Sequence, residues 1–201
     1  MTKKHSSSAA LRDSHYKKLK KIRILVVNES ANAGDLIKRM FEALGFGHVI
    51  AVTNGMDAMQ VMREMRVDMV LVDSMLSIQP KEWEGCPSMN RMEGAEFIHR
   101  LRHAPGSPNR FMPTLMLVGG LNGQEAMRAR DAGVNEMVMK PLSSENFSQR
   151  MIQLFDTPKH FITAETYKGP CRRSRKGKPK ELAQERRRRD VRVVRYEEMA
   201  G

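Results

Sequence analysis

Five short apolar runs, each followed by a stretch with helical periodicity, constrain this chain more than any other feature. The runs are 22–27, 49–52, 69–72, Thr114–Val118 and Glu136–Met139. They do not alternate apolar with polar, as strands covered on both faces of a sheet need not. After the first, Ile37, Met40, Phe41 and Leu44 fall at i, i+3, i+4 and i+7, one face of an amphipathic helix, which Gly45 and Gly47 end. Ala58, Val61, Met62 and Met65 make a second stripe, and Gly94, Phe97, Ile98 and Leu101 a third. Residues 122–132 read as a fourth helix, and Ser143 or Ser144 caps a fifth carrying Phe147, Met151 and Leu154. Five βα units in about 130 residues predict an α/β fold, a five-stranded parallel doubly wound (flavodoxin-like) sheet.

Such a sheet gathers residues that are far apart in sequence, because ligands bind beyond the C-terminal ends of the strands. Asn28 and Glu29 follow the first run, Asp73 the third, Gly119 the fourth and Lys140-Pro141 the fifth. These residue types suit a carboxylate that accepts a phosphoryl group. Asp73 is the nucleophile. Glu29 and Asp73 supply hard oxygen ligands for Mg²⁺. Lys140 clamps the phosphoryl oxygens, and Gly119 leaves room beside them.

Charge divides the 201 residues into three parts. Residues 1–22 carry seven Lys/Arg against one acid, and 156–201 carry fourteen against seven, whereas 23–155 are close to neutral. The +12 net charge therefore belongs to arms attached to a neutral globule. The expected organisation is a basic extension over 1–20, a domain over 21–155 with a long loop at 74–92, and a basic, disordered extension over 156–201. The 74–92 loop holds Pro80, Trp83, Cys86 and Pro87 and leaves directly from Asp73, so it is expected to gate the site. Val191 to Tyr196 fit either a strand or a helix. No run of about 18 apolar residues and no secretory signal is present, and two cysteines build no disulfide framework, so a cytoplasmic protein is expected.

Other features have bland readings. The methionines at 56, 59, 62, 65 and 69 read as core filler. His99 and His103 have metal-ligand spacing but no third ligand, and Arg100 and Arg102 surround them, so a solvated or packed pair is expected. Gly119-Gly120-Leu121-Asn122-Gly123 reads as a tight strand-to-helix turn rather than a dinucleotide-binding loop. Cys86, with no visible partner, reads as incidental. The arginines at 172–189 could meet nucleic acid phosphates or an acidic partner, although aromatic residues there are sparse.

Taken in order, Val26-Val27-Asn28-Glu29, Val67-Asp68-Met69-Val70-Leu71-Val72-Asp73, Met92-Glu93-Gly94-Ala95-Glu96, Ala132-Gly133-Val134 and Lys140-Pro141 resemble the motifs of response regulator receiver domains. The resemblance spans about residues 20–155. It implies phosphorylation of Asp73 by a histidine kinase or phosphotransfer protein with Mg²⁺ bound. The output is then contact with a downstream protein, and the chemistry is self-phosphotransfer rather than enzyme turnover. Four positions depart from the family pattern, and the 74–92 loop is longer than the family's equivalent. Glu29 stands where Asp is common. Asn28 replaces an acid and makes a weaker metal ligand. Val118 stands where the family has a hydroxyl, and Met137 where it has an aromatic switch. Those departures fit an alternative, a pseudo-receiver acting as a phosphorylation-independent scaffold. A further alternative is a nucleic-acid-associated protein that works through its Arg-rich tail, whose Gly169-Pro170-Cys171-Arg172-Arg173 is similar to extensions on some stand-alone bacterial receivers.

Overall fold

The computed structural model describes residues 19–76, 93–120, 123–172 and 192–194. Five strands, β1 (Arg23–Val27), β2 (His48–Val52), β3 (Met69–Asp73), β4 (Thr114–Val118) and β5 (Glu136–Met139), form one sheet in the order β2-β1-β3-β4-β5. All four pairings are parallel. Helices α1 (Ala31–Ala43), α2 (Gly55–Glu64), α3 (Gly94–His103), α4 (Gly123–Ala132) and α5 (Ser144–Asp156) follow the strands in turn. The expected architecture is therefore present, with strand ends within a residue of those read from the apolar runs.

Successive strand residues point to opposite faces, and this splits the core in two. Leu25, Val27, Val70, Val72, Met116 and Val118 meet α2, α3 and α4 through Met59, Met62, Phe97, Ile98, Leu101, Ala129 and Ala132. Ile24, Val26, Met69, Leu71, Leu115 and Leu117 meet α1 and α5 through Phe41, Phe147, Met151 and Leu154. Of the methionine series, Met59, Met62 and Met69 are thus core, while Met65 is exposed. Helix starts are fixed locally. Ser30, Asn54 and Ser143 accept backbone N–H bonds from Ala33, Asp57 and Asn146, each satisfying a donor that the first turn leaves open.

The region after α5 departs from the expected disordered extension. Strands β6 (Phe161–Thr163), β7 (Lys168–Pro170) and β8 (Arg192–Val194) make a second, antiparallel sheet in the order β7-β6-β8. Its inward side chains repay the ordering: Phe161, Cys171 and Val194 are buried. Of the open choice at 191–196, Arg192–Val194 is a strand. The 1–18 extension, residues 77–92 of the long loop with Trp83 and Cys86, and 173–191 with most of the arginine clusters lie outside the described residues. Among the described residues, no helix is long and apolar enough to cross a membrane.

Candidate functional site

The parallel register carries Asn28, Asp73 and Lys140 to one edge of the sheet. Val27 lies beside Val72, and Asp73 pairs with Leu117. The ladder runs one step past the strands. Ser74 N–H donates to Leu117 O at 2.8 Å, and Lys140 N–H to Val118 O at 2.8 Å. Lys140 Nζ then reaches Asp73 Oδ2 at 2.5 Å. Asn28 Nδ2 donates to the same oxygen at 2.8 Å. Asp73 Oδ1 accepts the Met75 N–H at a longer 3.2 Å. Asp73 itself is 4% exposed, whereas the Lys140 side chain is 41% exposed. The carboxylate is thus held from behind, and its cation partner sits at the mouth.

Gly94 sets the depth of this site. A Cβ there would lie 2.1 Å from Asp73 O, and the Gly94 N–H donates to Ser74 O at 2.8 Å. Only glycine lets α3 begin so close to the acid-bearing strand. Gly119, by contrast, is exposed, and a Cβ there would meet nothing within 4 Å, so the room beside β4 does not depend on glycine.

Asn28 is buried, with Oδ1 accepting the Ser30 N–H at 2.9 Å, and Glu29 follows it at an exposed position. The Asp73 carboxylate and the Asn28 amide bring hard oxygens together here, a donor type that suits Mg²⁺. The amide replaces a charge and already spends its N–H group on Asp73. Among the described residues, no group of three or more His, Cys, Asp or Glu could hold a metal. That includes His99 and His103, whose rings stack at 4.3 Å. Val118 is fully buried and Met137 partly so, both in the α2–α4 side of the core. Neither offers a hydroxyl or an aromatic ring to the site.

Arg102, which the sequence showed only as a neighbour of the His99 and His103 pair, is fully buried. Its guanidinium donates to Gly133 O (3.2 and 3.1 Å), Arg110 O (2.7 Å), Thr114 Oγ1 (3.1 Å) and Asn135 Oδ1 (3.0 Å). All of these acceptors are neutral, and burial lowers its pKa to about 9. Nothing in the sequence marks it apart from its neighbour Arg100. A cavity of about 550 Å³ opens nearby, at the N-terminal edge of the sheet, lined among others by Arg66, Asp68, Phe111, Asn135, Lys159 and Phe161. It lies at the opposite end of β3 from Asp73.

Comparison with known proteins bears on the fold. No protein-family model matches the chain. The chemotaxis protein CheY-3 of Vibrio cholerae is 21% identical over 137 residues, covering 68% of this chain and 94% of that protein. The DNA-binding response regulator MtrA of Mycolicibacterium paratuberculosis is 26% identical over 129 residues, 64% of this chain and 49% of that one. Among solved structures, Vibrio cholerae CheY4 matches with a TM-score of 0.54 at 19% identity, covering 67% of this chain and 98% of its own. The receiver domain of the Pseudomonas aeruginosa sensor histidine kinase PA1611, solved with magnesium in its active site cleft, matches with a TM-score of 0.51 at 23% identity, covering 66% and 94%. The sheet and its five helices therefore have the fold of the response regulator receiver domains. The relatives are thus a chemotaxis protein and a response regulator. The match stops at about two thirds of this chain, and the second sheet adds to it.

Proposed function

We propose that this protein is a cytoplasmic receiver that accepts a phosphoryl group on Asp73 from the phosphohistidine of a histidine kinase or phosphotransfer protein. The observation that carries the reading is the convergence of Lys140 Nζ and Asn28 Nδ2 on one oxygen of the buried Asp73 carboxylate. In the transfer, a carboxylate oxygen of Asp73 forms the new P–O bond. The P–N bond to the donor imidazole breaks, and the bonding pair returns to that ring. Lys140, already at the mouth, turns from the carboxylate to the transferred oxygens, where its charge is worth most as negative charge gathers. Asn28 keeps the carboxylate oriented and leaves it uncrowded by a second anion. Glu29 and Asp73, with Asn28 Oδ1 as a weaker donor, would hold Mg²⁺. Bound there, the ion neutralises charge on the group in transfer.

The output is contact with a downstream protein rather than turnover of a substrate. Val118 and Met137 favour a second reading, a pseudo-receiver, since neither position offers a hydroxyl to the phosphoryl oxygens or an aromatic ring to couple to them. Intact mass after incubation with a small phosphodonor and Mg²⁺ separates the two. Gain of one phosphoryl by the wild type, and none by Asp73→Asn, is the expected result. No gain in either protein, with no Mg²⁺ binding by calorimetry, would sink the receiver reading in favour of the scaffold.

A further inference from the structure

The region after α5 is fastened to the receiver at several independent points. Gly133, at φ +89°, lies against Gly169 of β7. A Cβ on Gly133 would sit 2.5 Å from Lys168 O, and one on Gly169 would sit 2.7 Å from Gly133 Cα and 2.5 Å from Tyr167 Oη. The two glycines let the α4–β5 turn and β7 touch backbone to backbone. Tyr167 Oη donates to Pro170 O at 2.8 Å. The Arg172 guanidinium lies 3.9 Å over the Tyr167 ring and pairs with Asp131 at 3.0 Å. It also donates to Arg130 O, in the last turn of α4, at 3.3 Å. Phe161 covers the buried Arg102 guanidinium at 5.2 Å and meets Phe111 edge-on at 4.9 Å. Lys159 pairs with Glu136 of β5 at 2.7 Å. The Gly-Pro-Cys-Arg segment thus reads as a fastening rather than as the start of a solvated tail.

Helix α3 runs between this fastening and Asp73. Its first residue, Gly94, rests on Asp73 O, and its ninth, Arg102, is the charge that the fastening covers. Ten residues make a rod of about 15 Å, and both ends sit in contacts that leave no slack. Gly94 cannot retreat or advance without disturbing the Asp73 backbone. Arg102 cannot shift without giving up bonds to Gly133, Arg110, Thr114 and Asn135.

We infer that residues 157–172 are a clasp on the receiver, and that α3 couples the clasp to the Asp73 site. The state of the site then sets how firmly the C-terminal region is held. Coupling of this kind is reciprocal, so loosening the clasp must also loosen the site end of α3. The phosphoryl-driven direction rests on the proposed receiver function; the clasp and its reach along α3 do not.

Hydrogen exchange on the full chain tests both parts. In Gly169→Val the added side chain has no room against Tyr167 and Gly133. Amides of 161–170 and of 94–103 are expected to exchange roughly tenfold faster, with β1 and α1 unchanged. Arg172→Ala, at an exposed position, should give the same pattern more weakly, and it decides the matter if the valine variant does not fold. Faster exchange confined to 161–170 would overturn the coupling, and no change at 161–170 would overturn the clasp. A second arm treats wild type with phosphodonor and Mg²⁺ and reads mass and exchange on one sample. Phosphoryl gained with exchange at 161–170 unaltered overturns the coupling and leaves the receiver reading standing. With none gained, the receiver reading fails, and the two variants still decide the clasp.

Discussion

Asp73, under the first residue of α3, and Arg102, near its last, are both almost completely buried, yet they are compensated in opposite ways. Asp73 has a countercharge at the surface, Lys140, whose side chain is 41% exposed. Arg102 has neutral oxygens from a helix-end turn, a loop and two strand starts, and an aromatic lid. A countercharge that can reach solvent can also move to an incoming anion. A cage of carbonyls cannot. The first arrangement leaves the buried charge available for chemistry; the second spends it on holding elements together.

The widest test of this contrast is Arg102→Ala beside Asp73→Asn, both followed by urea unfolding. Truncating Arg102 leaves buried acceptors unpaired and opens a void, and the expected loss is about 3–5 kcal/mol. Asp73→Asn keeps the shape but leaves one accepting oxygen where the carboxylate has two, and it removes a charge whose burial is only partly offset. Its effect is expected within about 1 kcal/mol of wild type. Equal losses from the two variants would break the distinction between a poised site and a structural node.

Asn28→Asp sharpens the same contrast at the site end alone. The 2.8 Å amide bond to Asp73 Oδ2 becomes a contact between two carboxylates. Without metal, the variant should lose about 1–2 kcal/mol of stability, because like charges in one buried site oppose ionisation of both. With Mg²⁺ the added ligand charge should tighten binding roughly tenfold and recover the loss. Thermal melting and calorimetry with and without Mg²⁺ check both halves. A variant that melts like wild type in the absence of metal would mean that Asn28 does not steady Asp73.

The Asp73 end of the molecule was legible in the sequence because its residues follow short, uninterrupted apolar runs whose limits fix strand ends to about one residue. The parallel sheet then brings Asn28, Asp73 and Lys140 together by register alone. The Arg102 end was not legible. An arginine three places from a histidine on a helix has the pattern of a solvated face, and only the docking of Phe161 makes it interior. The docking itself hides in strands of three residues, one of which is Lys168-Gly169-Pro170. Such a strand has no apolar period, and its information lies in the absence of a side chain at Gly169. Asn28 was read for what it lacks as a metal ligand. Its N–H donation to Asp73 depends on a side-chain orientation that no spacing specifies.

The finest test concerns pH at the clasp end. His103 is near the end of α3. Burial, then the neighbouring His99, Lys168, Arg110 and Arg102, hold its pKa below the ordinary 6.5. No acid figures among those causes: α3 contributes His99 and Arg102, the following loop Arg110, and β7 Lys168. Because the folded value is the lower one, the unfolded chain binds the proton first as pH falls. Stability from this group is therefore complete above pH 6.5 and is lost as pH drops below it. His103 is only partly buried, so the effect is expected to be under about 0.5 kcal/mol. His103→Gln should flatten the fall in stability between about pH 6.5 and pH 5 by that amount. Exchange at 161–170, and with it at 94–103, should lose its acid sensitivity in the same variant. Acid sensitivity that survives unchanged at 161–170 would assign it to a group outside this cationic cluster. It would also remove His103 from the account of how the clasp is held.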